Sequence, residues 1–71
     1  MDKQVTTWYL IKVKGEKFCV KVEHFISNVY SAKKEMMKKF EISQLDIITS
    51  SSDLVNPWPD EKCIIFNGKN L

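Results

Sequence analysis

The stretch Thr7-Trp8-Tyr9-Leu10-Ile11-Lys12-Val13 decides the fold. Side chains of a strand alternate between its two faces, so this run places Thr7, Tyr9, Ile11 and Val13 on one side. Trp8, Leu10 and Lys12 fall on the other. One face is apolar along its length and the second is apolar for about half of it. A strand of that kind belongs in the interior of a sheet, and both of its faces need a cover.

Working outward, Lys14-Gly15-Glu16-Lys17 separates this strand from Phe18-Cys19-Val20-Lys21-Val22-Glu23, a second alternating run. The spacing predicts a tight hairpin. A Gly15-Glu16 loop sets Val13 opposite Phe18 and Ile11 opposite Val20. A Lys14-Gly15 loop shifts the pairing but keeps the same face, whereas a three-residue loop would split the apolar sets between faces. His24-Phe25-Ile26-Ser27 reads as a connection, and Ser27 or Asn28 as the cap of a helix over about 28–41. Val29, Ala32, Met36 and Phe40 recur there at helical spacing, with Met37 on the flank and Lys34, Glu35, Lys38 and Lys39 opposite. After a short exit holding a buried Ile42, Leu45-Asp46-Ile47-Ile48-Thr49 forms a third strand. A right-handed crossover through the helix sets it beside the first, in order 2-1-3.

Ser50-Ser51-Ser52-Asp53 and the proline-containing Asn56-Pro57-Trp58-Pro59-Asp60 make residues 50–61 an irregular connection. Lys62-Cys63-Ile64-Ile65-Phe66 then reads as a short fourth strand closed by Asn67-Gly68. The expected architecture is one small α+β domain, ββαβ(β), an antiparallel sheet with one helix on one face. Residues 1–4 are expected to fray.

At 71 residues, 44% hydrophobic and 28% charged, the composition is that of one globular domain. The net charge of +2 is too small to imply a nucleic-acid partner by itself. All eleven basic residues are lysine, so the bidentate guanidinium fork that suits phosphate and guanine is missing. Lysine-only basicity with one alanine suits an AT-rich source, in keeping with a small bacterial or phage accessory protein. No run approaches the ~20 apolar residues of a membrane span, and the N-terminus lacks the pattern of a signal peptide. The expectation is a cytoplasmic protein with Cys19 and Cys63 as reduced, isolated thiols.

No arrangement of residues points to catalysis. Cys19, Cys63 and His24 are the only soft metal ligands, without Cys-x-x-Cys or His-x-x-x-His spacing, and His24 reads as a surface residue. Cys19 and His24 lie on opposite faces of a continued strand, so they make no nucleophile and base pair. The nine carboxylates are scattered over turns and exposed positions, and there is no glycine-rich phosphate loop. The expectation is a non-enzymatic protein with no cofactor or metal.

Two surfaces remain as candidates. Trp8, Leu10 and Ile48 form an apolar patch on the face away from the helix, and Trp58 is held between two prolines with little entropy left to lose. The patch needs a cover, either residues 54–66 of the same chain or a second copy packed face to face. These residues point to a protein-interaction module of the regulator or inhibitor type, a homodimer with a further, unidentified protein partner. The alternative is a single-stranded nucleic-acid binder that stacks bases on Trp8 and holds the backbone with Lys12, Lys14, Lys17 and Lys21.

Overall fold

The computed structural model describes residues 2–70. Two long strands, β1 (Gln4–Val13) and β2 (Glu16–Phe25), are followed by a 3-10 turn at Ile26–Asn28 and the helix α1 (Val29–Phe40). A second 3-10 turn at Gln44–Asp46 leads into β3 (Ile47–Ser51), and the chain closes with β4 (Cys63–Asn67). The strands form one sheet in the order β3-β1-β2-β4. The α+β class and the central place of the first strand agree with the sequence. β1 is flanked on both sides by antiparallel neighbours. The sheet as a whole is mixed rather than antiparallel, because β4 runs parallel to β2.

The hairpin turns at Lys14-Gly15, so Ile11 pairs with Phe18 and Tyr9 with Val20. Lys14 and Gly15 have φ of 50° and 84°. Two consecutive positive φ values match the twist of the flanking strands, and glycine at the second position lowers the steric cost of the turn. The Gly15-Glu16 loop is therefore not the one used. Both strands are also longer than expected. Gln4, expected to fray, opens β1, and β2 continues through His24 and Phe25 instead of ending at Glu23. The Lys3 carbonyl accepts the Ile26 amide at 3.0 Å, and the Asp2 carboxylate accepts the Ser27 amide and hydroxyl. Met1 lies outside the described residues.

Tyr9, Ile11, Val20 and Val22 from the sheet meet Ala32 and Met36 from α1 to form the core. Phe18 and Phe40 close its margin edge to face, with ring centroids 5.5 Å apart. The helical stripe is as expected except at its start. Val29 stands 39% exposed, because the 3-10 turn before it sets the first helical residue outside the buried stripe. Asn28 occupies the N-cap position without capping the helix. Its Oδ1 accepts the Phe25 amide and its Nδ2 donates to the Gly68 carbonyl, both at 2.8 Å. The helix ends at Glu41 in the left-handed region (φ 56°), where the amides of Glu41 and Ile42 satisfy the carbonyls of Lys38 and Met37.

Gly68 fixes how closely the helix approaches the sheet margin. A Cβ there would lie 2.8 Å from Cβ of Ala32, the one alanine in the chain. The smallest side chain on the helix meets a position with no side chain at all.

β3 begins two residues later than expected, because Gln44–Asp46 is taken up by the 3-10 turn. A bulge interrupts its register with β1, so Leu10 pairs with Thr49 and Ile11 with Ile47. Ile48 is the extra residue. It is 51% exposed instead of joining Trp8 and Leu10 in a closed patch.

The route from β3 to β4 sets up everything on the second face. These strands are parallel and lie at opposite edges, so residues 52–62 must cross the sheet. Helix α1 already occupies one face, and the crossing uses the other. Moving back across the sheet beneath it has the same hand as moving out across it above, so both crossovers share one handedness.

Candidate functional site

On the second face, the crossing segment is tied down at several points by polar contacts. Trp8 Nε1 donates to the Asp53 carbonyl at 2.8 Å, and the Cys19 amide donates to the Lys62 carbonyl at 2.7 Å. Lys17 and Glu61 form an ion pair at 3.2 Å, and the Lys21 ammonium sits 5.5 Å from the Trp8 ring centre. Within the segment, Asn56 Oδ1 accepts the Trp58 amide and the Trp58 carbonyl accepts the Glu61 amide. These bonds hold an irregular backbone that has no ladder of its own.

The expected interface residues are thereby separated. Trp8 and Leu10 are buried, at 6% and 7% exposure. Trp58 is half-buried in the crossing segment, and Ile48 is exposed at the β3 bulge. Of the two covers weighed for this face, the chain itself provides one. The lysines considered for nucleic acid divide in the same way. Lys17 is paired with Glu61, Lys21 lies over Trp8, and Lys12 and Lys14 point to solvent. Trp8 has no open ring face on which a base could stack.

His24 is not a surface residue. It is 2% exposed on the helix side of the sheet. Nδ1 lies 2.8 Å from the Phe25 carbonyl and Nε2 lies 2.8 Å from Thr7 Oγ1. A carbonyl can only accept, so Nδ1 carries a proton and donates to Phe25, while Nε2 meets the Thr7 hydroxyl. Both nitrogens are engaged, Nε2 across to Thr7 of β1 and Nδ1 within β2 itself.

The two cysteines are not isolated either. Cys19 and Cys63 are directly paired across β2 and β4, with Sγ atoms 3.4 Å apart. Cys19 is fully buried and Cys63 is exposed. Burial, then the hydrogen bond and the charge of Cys63, push the Cys19 thiol up to about 12. The sequence separation of 44 residues gives no motif. The pairing was accessible only through the topology, by running the fourth strand parallel to the second. Among the described residues no group of three or more His, Cys, Asp or Glu side chains could hold a metal.

The backbone supplies the remaining candidate. In a parallel pair, residues of one strand bond alternately to the neighbour and to the outside. The Cys19 amide bonds Lys62 and the Gly68 amide bonds Glu23, so the even-numbered residues of β4 face β2. The N–H and C=O groups of Cys63, Ile65 and Asn67 therefore point away from the sheet. All three residues are exposed, Ile65 to 64%, and no charge or proline occurs between Cys63 and Asn67. A second open edge lies at the start of β1, which extends past β3 from Gln4 to Thr7. It borders a cavity of about 390 Å³ against Ser52, Asp53 and Leu54. That edge is short and is blocked at one end by Ser51.

The fold and its edges define a mixed four-stranded α+β domain. Comparison with protein-family models, curated proteins and solved structures finds no match. No helix among the described residues is long and apolar enough to cross a membrane.

Proposed function

We propose that the chain is a non-enzymatic protein-interaction module that self-associates through the outer edge of β4. The observation that supports this reading is the row of outward N–H and C=O groups at Cys63, Ile65 and Asn67. Edge strands are ordinarily protected by lysine, proline or a bulge, because unpaired backbone groups recruit another strand. β4 has none of these, and its sequence Cys-Ile-Ile-Phe-Asn favours strand pairing.

A second copy fits this edge by symmetry. An antiparallel pair with its two-fold axis at Ile65 sets Ile65 against Ile65, and Cys63 against Asn67 of the other copy. Every outward backbone group then finds a partner, and the two four-stranded sheets become one. The same register brings Glu61 of one copy level with Lys69 of the other. The axis departs from the face-to-face packing expected from Trp8 and Leu10, since that face is already occupied. A contact limited to one strand edge belongs with weak, transient interfaces, so the association should be reversible.

Sedimentation equilibrium of the wild type and of Ile65→Lys tests the reading. The wild type should move from 8.3 kDa towards twice that mass as concentration rises, and Ile65→Lys should stay at 8.3 kDa. A wild type that remains monomeric at roughly 500 µM, or a variant that dimerises as readily, would rule out this edge.

A further inference from the structure

We propose that Cys19 and Cys63 are an oxidation site, at which a low-molecular-weight disulfide such as oxidised glutathione converts the two thiols into an intramolecular disulfide joining β2 to β4. The proposal rests on the placement of the sulfurs and is independent of self-association. The two residues are lateral partners in adjacent parallel strands, and their Sγ atoms are 3.4 Å apart. Strand neighbours of this kind have Cα separations inside the range that a disulfide spans, so closure needs side-chain rotation more than backbone movement. A metal is a poor alternative occupant. His24, the one histidine in the chain, lies on the opposite face of the sheet and both its nitrogens are engaged.

The difference in exposure assigns the order of events. Cys63 is exposed and is the sulfur that a dissolved disulfide can reach, whereas Cys19 is closed to solvent. The Cys63 thiolate attacks one sulfur of oxidised glutathione, and one glutathione thiolate leaves. Cys19, at near-attack distance, then loses its proton and attacks the Cys63 sulfur of the mixed disulfide, releasing the second glutathione. Two protein thiols are oxidised, one glutathione disulfide is reduced to two thiols, and the two protons end on the leaving groups. Capping Cys63 also removes the thiol contact and the negative charge that oppose ionisation of Cys19, leaving burial as the largest remaining obstacle.

The test incubates the reduced full chain with oxidised glutathione and follows its mass and melting temperature. The expected product is monomeric in covalent mass and lighter by two hydrogens. It should melt on the order of 10 °C higher, because a long loop is closed in the unfolded chain, and dithiothreitol should reverse the shift. Cys19→Ala should stop at a stable glutathione adduct on Cys63. Cys63→Ser, altered at an exposed position, should take up no glutathione while folded. A lasting adduct on the wild type would overturn the proposal, as would a covalent link between two chains or two unreacted thiols in the folded protein.

Discussion

The two faces of the sheet are closed by different means. On one, α1 lays Ala32, Met36 and Phe40 over Tyr9, Ile11, Val20 and Val22 in an apolar contact, with Asn28 at its start adding bonds to Phe25 and Gly68. On the other, an irregular segment without helix or strand crosses Trp8, Leu10 and Cys19, held by individual polar contacts at Asp53, Lys62 and Glu61. A helix satisfies its own backbone, so it can cover a sheet with side chains only. An irregular crossing must place its carbonyls and amides one by one. The first kind of cover should fail when volume is lost, and the second when a polar tether is cut.

The largest effect is expected on the helix side. Met36→Ala should destabilise by about 3 kcal/mol in urea denaturation, since Met36 is fully buried at the centre of the core. Gly68→Ala should cost about 2 kcal/mol, because a Cβ there meets Ala32 and the Glu23 carbonyl at distances that force α1 outward. A Gly68→Ala protein as stable as the wild type would mean that the helix does not sit this close. On the other face, Trp8→Phe keeps an aromatic ring but removes the bond to Asp53. It should cost about 1–2 kcal/mol and make residues 52–62 more susceptible to proteolysis. Loss of stability without faster cleavage would show that apolar area, not the tether, holds that segment.

Alkaline pH gives a smaller handle on the same face. The Cys19 thiol is raised to about 12 in the folded chain, whereas an unfolded cysteine ionises near 8.5. Above that pH the unfolded state holds fewer protons than the native state. Stability should therefore fall as pH rises above about 9 and go on falling towards the folded value. Tyr9, also raised by burial, adds a loss of the same sign at higher pH. Cys19→Ala should flatten the lower part of this slope, and an unchanged slope would contradict the burial of the thiol.

What could be foreseen from the sequence follows the same division. The hairpin, the helical stripe and the place of β1 rest on periodicity, which local spacing displays. Even there, the pairing depended on two positive φ values at Lys14 and Gly15, and the start of the stripe on the 3-10 turn that left Val29 outside. The second face has no such signal. Its cover is aperiodic, and the bulge at Ile48 shifts a side chain that alternation alone would misplace. The Cys19–Cys63 pair and the outward groups of β4 depend on a strand pairing 44 residues apart in sequence. His24 is buried rather than at the surface for a simpler reason: β2 does not stop at Glu23, and one further pair of residues carries the ring under the helix side of the sheet.

The edge of β4 is where these consequences meet, and amide hydrogen exchange within that one strand tests it most directly. Ile64 and Phe66 donate towards β2 and should be protected at every protein concentration. Ile65 and Asn67 point outward, and their protection should be absent in dilute solution, appear as concentration rises, and stay absent in Ile65→Lys. Exchange at Ile65 and Asn67 that is equally fast at all concentrations would contradict self-association through this edge.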